Sequence, residues 1–175
     1  MVYASLFAAL TAVGAFLAIP IGPVPIVLQN MFVYLAGLLL GSRWGLASVG
    51  VYLLAGACGL PVFAGGLGGI GRIIGPTGGY LIGYLPTVFI IGKISARSNP
   101  RAVFDVIAMI CGSIALYACG ITWLKIVTGM TLAKTLVVGM VPFLIGDALK
   151  IAAAAAIAKA LRPVIRVPGY AIRDT

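Results

Sequence analysis

The sequence has no histidine and no glutamate, and its only carboxylates are Asp105, Asp147 and Asp174. The hydroxyls of Ser5, Ser42, Ser48, Ser95, Ser98 and Ser113 therefore have no evident base, and few catalytic constellations can be assembled. Cysteine is sparse too. Cys58, Cys111 and Cys119 lack C-x-x-C spacing, which argues against a disulfide framework and against a zinc site. They read as small apolar packing residues. Two phosphate-binding patterns fail on context. The run Gly66-Leu67-Gly68-Gly69-Ile70-Gly71 matches G-x-G-x-x-G, but it follows an apolar helix, and no acidic residue lies about 20 positions on. Gly92-Lys93 lacks the rest of a P-loop. No enzyme activity, cofactor or metal is expected, and no ATP hydrolysis in this chain.

Charge of either sign is scarce. Charged residues make up 9% of the 175 positions and hydrophobic residues 62%, whereas soluble domains are roughly a quarter charged. The net charge is +9. A basic balance can signal nucleic acid, but here the basic residues are spread between apolar runs, so no nucleic-acid partner is expected. In a membrane protein the same residues mark cytoplasmic loops.

The apolar runs suggest six spanning segments, and no domain boundary, low-complexity tract or repeat divides residues 1–175. Segment one covers residues 3–19 and reads as a spanning helix, not a cleaved signal. Ala4, Ala8 and Ala12 recur on it at four-residue intervals, a spacing that lets another helix approach closely, either in the same bundle or on a separate protein. The turn Pro20-Ile21-Gly22-Pro23-Val24-Pro25 breaks it and places Pro25 at a first helical position. Segment two covers residues 26–41, where Gly37 and Gly41 form a weak G-x-x-x-G packing signal. A tight turn with Arg43 and Trp44 leads to segment three, residues 45–58. Residues 59–79 carry nine glycines yet are hardly polar, so they read as a structured lid.

Segment four covers residues 79–94, and the basic Lys93, Arg97 and Arg101 follow. Segment five covers residues 102–123, with Asp105 in its first turn, where a carboxylate favours the helix dipole. Residues 125–140 read as a short surface helix. Segment six covers residues 142–161, about 30 Å of helix, enough to cross the hydrocarbon. A basic tail occupies residues 163–175.

Six spans place both termini on one side. With the termini inside, that side holds Arg43, Lys93, Arg97, Arg101, Lys159, Arg162, Arg166 and Arg173, against Arg72, Lys125 and Lys134 outside. Trp44 and Trp123 then fall at opposite interfaces. In this orientation Gln29, Asn30, Arg72, Asp147 and Lys150 converge in the outer half of the bundle. They predict an outward-facing pocket for a carboxylate- or amide-bearing solute. Asp147 and Lys150 are three residues apart, on one helix face. A charge at membrane depth costs roughly 2.5–3.5 kcal/mol on insertion scales, so such a pair reads as functional.

Four stretches together resemble the BioY family, the biotin-specific S components of energy-coupling factor (ECF) transporters. They are Pro25-Ile26-Val27-Leu28-Gln29, Gly59-Leu60-Pro61-Val62-Phe63, Gly75-Pro76-Thr77-Gly78-Gly79-Tyr80-Leu81-Ile82-Gly83-Tyr84, and Pro142-Phe143 through Gly146-Asp147-Ala148-Leu149-Lys150. The resemblance runs to about Arg162. It departs at Ile145, where many members carry proline. It implies an all-α membrane protein of six helices with cytoplasmic termini, in a bacterial cell membrane, that binds biotin from outside with high affinity. It implies partners: a transmembrane T component and two ATPase subunits, met through Ala4, Ala8 and Ala12. It also implies Asp147 and Lys150 as ligand contacts. Around them, Gln29 offers an amide, Arg72 would balance the biotin carboxylate, and Phe63, Tyr80 and Tyr84 would pack on ring and tail. Two other readings fit the same residues: an S component for another vitamin such as thiamin or riboflavin, and an ion-coupled carrier with Asp147 as its coupling carboxylate.

Overall fold

In a computed structural model the chain is almost entirely helical. The structure describes residues 1–19, 24–97 and 102–165. Arg101, Arg166, Arg173, Asp174 and most of the basic tail lie outside the described residues, as does the tip of the proline-rich turn.

Helix α1 spans Val2–Phe16. It stops short of the expected residue 19, because Ala18–Ile19 (β1) pairs antiparallel with Ile26–Val27 (β2), Ala18 opposite Val27 and Ile19 opposite Ile26. Pro25 therefore precedes a strand rather than opening a helix. The next helix, α2, begins at Gln29 and runs to Ala57.

Helix α2 is not straight. Gly41 has φ 73° and ψ −176°, a conformation open essentially to glycine alone. The chain reverses there. A Cβ on Gly45 would lie 3.3 Å from the Ala36 carbonyl oxygen, and Gln29 bonds Tyr52 across the gap. The two limbs, residues 29–40 and 42–57, are the separate segments that the sequence suggested. They measure about 18 and 24 Å.

After a glycine-rich connection come the short α3 (Ile70–Ile74), then α4 (Gly78–Arg97) and α5 (Ala102–Thr128). Helix α5 is longer than expected and takes in Lys125. The surface helix is correspondingly shorter: α6 spans Leu132–Gly139, and α7 follows at Val141–Leu161. Thr131 caps α6 by accepting from the Lys134 backbone N–H. Pro142 sits in the first turn of α7, where its missing N–H is harmless. Ile145 continues that helix without interruption.

Small residues let α4 and α5 cross closely. Gly79, Gly83, Gly112 and Gly120 line the seam between α4 and α5, where added Cβ atoms would meet Trp123, Cys119, Ile91 and Tyr80. Tyr34 and Ser113 join α2 to α5 by a 2.8 Å hydrogen bond. The core gathers Val33, Leu38, Val49, Val88, Ile91 and Met109. Outside it, large apolar side chains such as Leu54, Ile82, Ile107, Ile114, Val141 and Leu149 are exposed. Four helical stretches, Gln29–Ala57, Gly78–Ala96, Ala102–Thr128 and Leu132–Leu161, are long and apolar enough to cross a membrane, and α1 is a shorter apolar helix. An apolar exterior over helices with internally bonded backbones is the pattern of a membrane protein.

One end of the bundle is clasped by charge. Arg162, just past α7, donates to Asp105 at the start of α5 and to Ser95 Oγ (3.2 Å) near the end of α4. Asp105 is buried, so besides meeting its helix dipole it pairs with Arg162, and Arg162 holds the three helix ends together. The polar residues of interest lie at the other end.

Candidate functional site

Helix α7 presents Asp147 and Lys150 inward, one turn apart, 5% and 8% exposed. Lys150 Nζ donates to Asp147 Oδ1 at 3.0 Å. Asn30 Nδ2, in the first turn of α2, donates to the same oxygen at 2.7 Å. The Tyr117 hydroxyl, from α5, donates to Oδ2. One carboxylate thus gathers donors from α2, α5 and α7. A buried carboxylate survives only when paired and hydrogen-bonded, and here both oxygens are occupied.

The side of the site nearer α3 is built differently. Phe63 turns back from the glycine-rich connection and is 2% exposed. Its ring fills the space that the missing side chain of Gly56 leaves and meets Tyr52 edge-on, with centroids 5.6 Å apart. The connection is ordered by its own backbone bonds: Phe63 N–H to Leu67 O at 2.8 Å and Gly69 N–H to Gly56 O at 2.7 Å. Trp123 Nε1 ties it to α5 by donating to Gly75 O at 3.0 Å. Arg72, on α3, is exposed, and among the described residues no carboxylate pairs with it. Gln29 is buried and donates through Nε2 to the Tyr52 hydroxyl at 2.7 Å. That bond satisfies one N–H of its amide.

Two lobes of open space join these groups. The arginine lobe, about 440 Å³, is lined by Gln29, Phe63, Arg72, Tyr80 and Tyr84 among others. The carboxylate lobe, about 370 Å³, is lined by Asn30, Tyr117, Asp147 and Lys150 with the same Tyr80 and Tyr84. Val24, Pro25 and Val27 border both. Much of that space is open to solvent: the cavity volume of each lobe is about 50 Å³, below the roughly 300–1,000 Å³ typical of small-molecule sites. Tyr80 is held at the junction by donating to Gly139 O at 2.7 Å and by lying against Gly120. The arrangement offers a cation at one end, an ammonium–carboxylate pair at the other, and aromatic walls between.

All seven residues expected to meet a ligand therefore line a site of two adjacent lobes that share Val24, Pro25, Val27, Tyr80 and Tyr84. Two more belong to it. Asn30 is adjacent in sequence to Gln29 and was placed in the same half of the bundle. Tyr117 sits in a run of apolar residues, where a single tyrosine carries no signal of which way it faces. The small residues of α1 fall elsewhere. Ala4 and Ala8 are each 7% exposed, facing the chain's own core, and Ala12 is half-buried. For Ala4 and Ala8 the spacing serves packing within the bundle, which corrects the expectation of an open docking stripe at these two positions.

Comparison with known proteins points one way. The BioY family model matches residues 1–167. A probable biotin transporter BioY of Pyrococcus horikoshii is 42% identical over 158 residues, covering 90% of this chain and 93% of that protein. The biotin transporter BioY of Thermotoga maritima is 40% identical over 162 residues, covering 93% of this chain and 95% of that one. Among solved structures, the S-component for biotin from an ECF-type ABC transporter superposes with a TM-score of 0.86 at 36% identity, covering 93% of this chain and 89% of that one.

Proposed function

Since the chain belongs to the BioY family, a family of transporter subunits rather than enzymes, we propose that it captures biotin at the outer face of the membrane with high affinity. One observation carries this reading. Asp147, Lys150, Gln29, Arg72, Tyr80, Phe63 and Tyr84, scattered over the chain, border two adjacent lobes, one with the Arg72 cation and the other with the Asp147–Lys150 ion pair. Biotin is an amphipathic match: a ureido ring with donors and an acceptor, an apolar thioether ring and tail, and a terminal carboxylate. Donors, acceptors and aromatic walls at these positions suit those parts.

In this reading residues 1–175 form a single membrane domain of six helices: α1, the two limbs of α2, α4, α5 and α7. The pocket end faces outward and the Arg162–Asp105 clasp faces the cytoplasm, with both termini. The described basic residues agree, since Arg43, Lys93, Lys159 and Arg162 would then lie inside. Phe63 and the ordered glycine-rich connection act as the lid. Uptake uses a T component and two ATPase subunits in a bacterial plasma membrane, a reading supported by the likeness to the S-component of an ECF-type ABC transporter. Docking on the T component uses the outward side of α1, where Ser5 and Ala9 are exposed and Ala12 borders them.

The test is binding by the purified protein in detergent. Biotin should raise its melting temperature and titrate to saturation, while thiamin and riboflavin should do neither. Stabilisation by another vitamin and not by biotin would replace the assigned ligand.

A further inference from the structure

Asn30 carries an unused acceptor. Its Nδ2 donates to Asp147 Oδ1 at 2.7 Å. A carboxylate only accepts, so this bond fixes which way the amide faces. Asn30 Oδ1 is consequently turned away from Asp147, and it is buried with no hydrogen-bond partner among the described residues. The hydroxyl pair that bridges α2 and α5 cannot supply one. Ser113 Oγ donates to Met109 O at 2.8 Å, so the proton between Tyr34 and Ser113 comes from Tyr34 and is committed. Buried amide oxygens are normally satisfied in folded proteins, and an exception calls for a partner. Asn30 is 6% exposed and lines the carboxylate lobe.

The geometry beside it matters as much. Lys150 Nζ and Asn30 Nδ2 bond the same oxygen of Asp147, so the ammonium and the amide sit side by side. Lys150 has further N–H donors, and Asn30 has a free carbonyl. A donor and an acceptor anchored through one carboxylate can together meet a ureido edge, where a carbonyl lies next to an N–H.

We propose that Asn30 is a ligand-contacting residue: its Oδ1 accepts one ureido N–H while Lys150 donates to the ureido carbonyl. This rests on the biotin reading and orients the ligand within it. The ring enters the carboxylate lobe, and the ligand's carboxylate points to the arginine lobe and Arg72. Asp147 holds Asn30 and Lys150 in register.

The test crosses a protein change with ligand changes, by equilibrium titration in detergent. The ligands are biotin and its two mono-N-methyl ureido derivatives, and the proteins are the unmodified chain and Asn30→Ala. Losing a buried hydrogen bond should weaken biotin binding by Asn30→Ala roughly tenfold or more. On the unmodified protein, one N-methyl derivative should bind at least as weakly. On Asn30→Ala that methyl group should cost little further, because the acceptor it blocks is already gone. Equal methyl penalties on both proteins would overturn the contact, leaving Asn30 only a structural support for Asp147. Unchanged biotin affinity in Asn30→Ala would overturn it as well, with biotin capture intact. No biotin binding by the unmodified chain would remove the underlying reading and this proposal together. Should Asn30→Ala fold poorly, full-strength binding of both methylated ligands to the unmodified chain would still refute the contact.

Discussion

Replacing Asp147 by asparagine preserves volume and removes one charge. The Lys150 side chain, 9% exposed and 3.0 Å from Asp147 Oδ1, then stays buried with no counter-charge. At that distance and an effective dielectric of about 20, the lost attraction is roughly 5 kcal/mol. Removing one partner of a buried pair costs about 3–5 kcal/mol in practice. The asparagine carbonyl still accepts from Lys150, which favours the lower figure, about 3 kcal/mol, or a fall in melting temperature of roughly 6–12 °C. Biotin affinity should fall more than about tenfold, since the shared anchor of Asn30 and Lys150 loses its charge and the new amide N–H₂ meets the Tyr117 hydroxyl that had donated to Oδ2. Adding Lys150→Met to Asp147→Asn separates the two effects. The double variant should regain most of the stability, because no unpaired charge remains, while biotin binding stays weak. Melting curves with and without biotin, plus equilibrium titration, read both quantities. Unchanged affinity in Asp147→Asn would take Asp147 out of the site. A double variant no more stable than the single would show that the buried charge was not the source of the loss.

Other expectations follow from the same geometry. Arg72→Ala should weaken biotin binding but leave the affinity for biotin methyl ester unchanged; equal losses for both ligands would place the carboxylate elsewhere. In Gly120→Ala the new Cβ would collide with the Tyr80 ring, an overpacking cost of about 1–3 kcal/mol that pushes Tyr80 from the junction of the lobes. Titration should register weaker biotin binding, and unaltered affinity would mean that Tyr80 is not a wall of the site. Arg162→Ala breaks the clasp with buried Asp105 and should cost about 3 kcal/mol of stability. Biotin affinity should stay within about twofold, since the clasp lies at the far end of the bundle; a large loss of affinity would couple the two ends.

The helices were legible because long apolar runs broken by glycine, proline and charge leave few alternatives. The turn expected at Arg43 and Trp44 falls instead at Gly41, the end of segment two, whose positive φ gives the reason. The two-residue strands β1 and β2 were not legible, since two residues carry no period. Lys125 looked like the end of segment five, but a lysine can extend its charged head from a helix that continues. Asp147 and Lys150 stood out as rare charges in an apolar run. Tyr117 did not, because a tyrosine on a membrane helix looks the same whether it faces lipid or a carboxylate. The Asp105–Arg162 contact joins residues 57 apart in sequence, and no local pattern announces such a pairing. Ala4 and Ala8 show the limit of small-residue spacing, which predicts close approach without saying whether the neighbour is the same chain.

The measurement that bears most directly on the whole account is the content of the protein as it leaves the membrane. Purified in detergent from cells grown with biotin, the protein should carry biotin, detectable by mass spectrometry after denaturation, and Asp147→Asn purified in parallel should carry much less. A protein that emerges without biotin and does not take it up on titration would contradict the central claim.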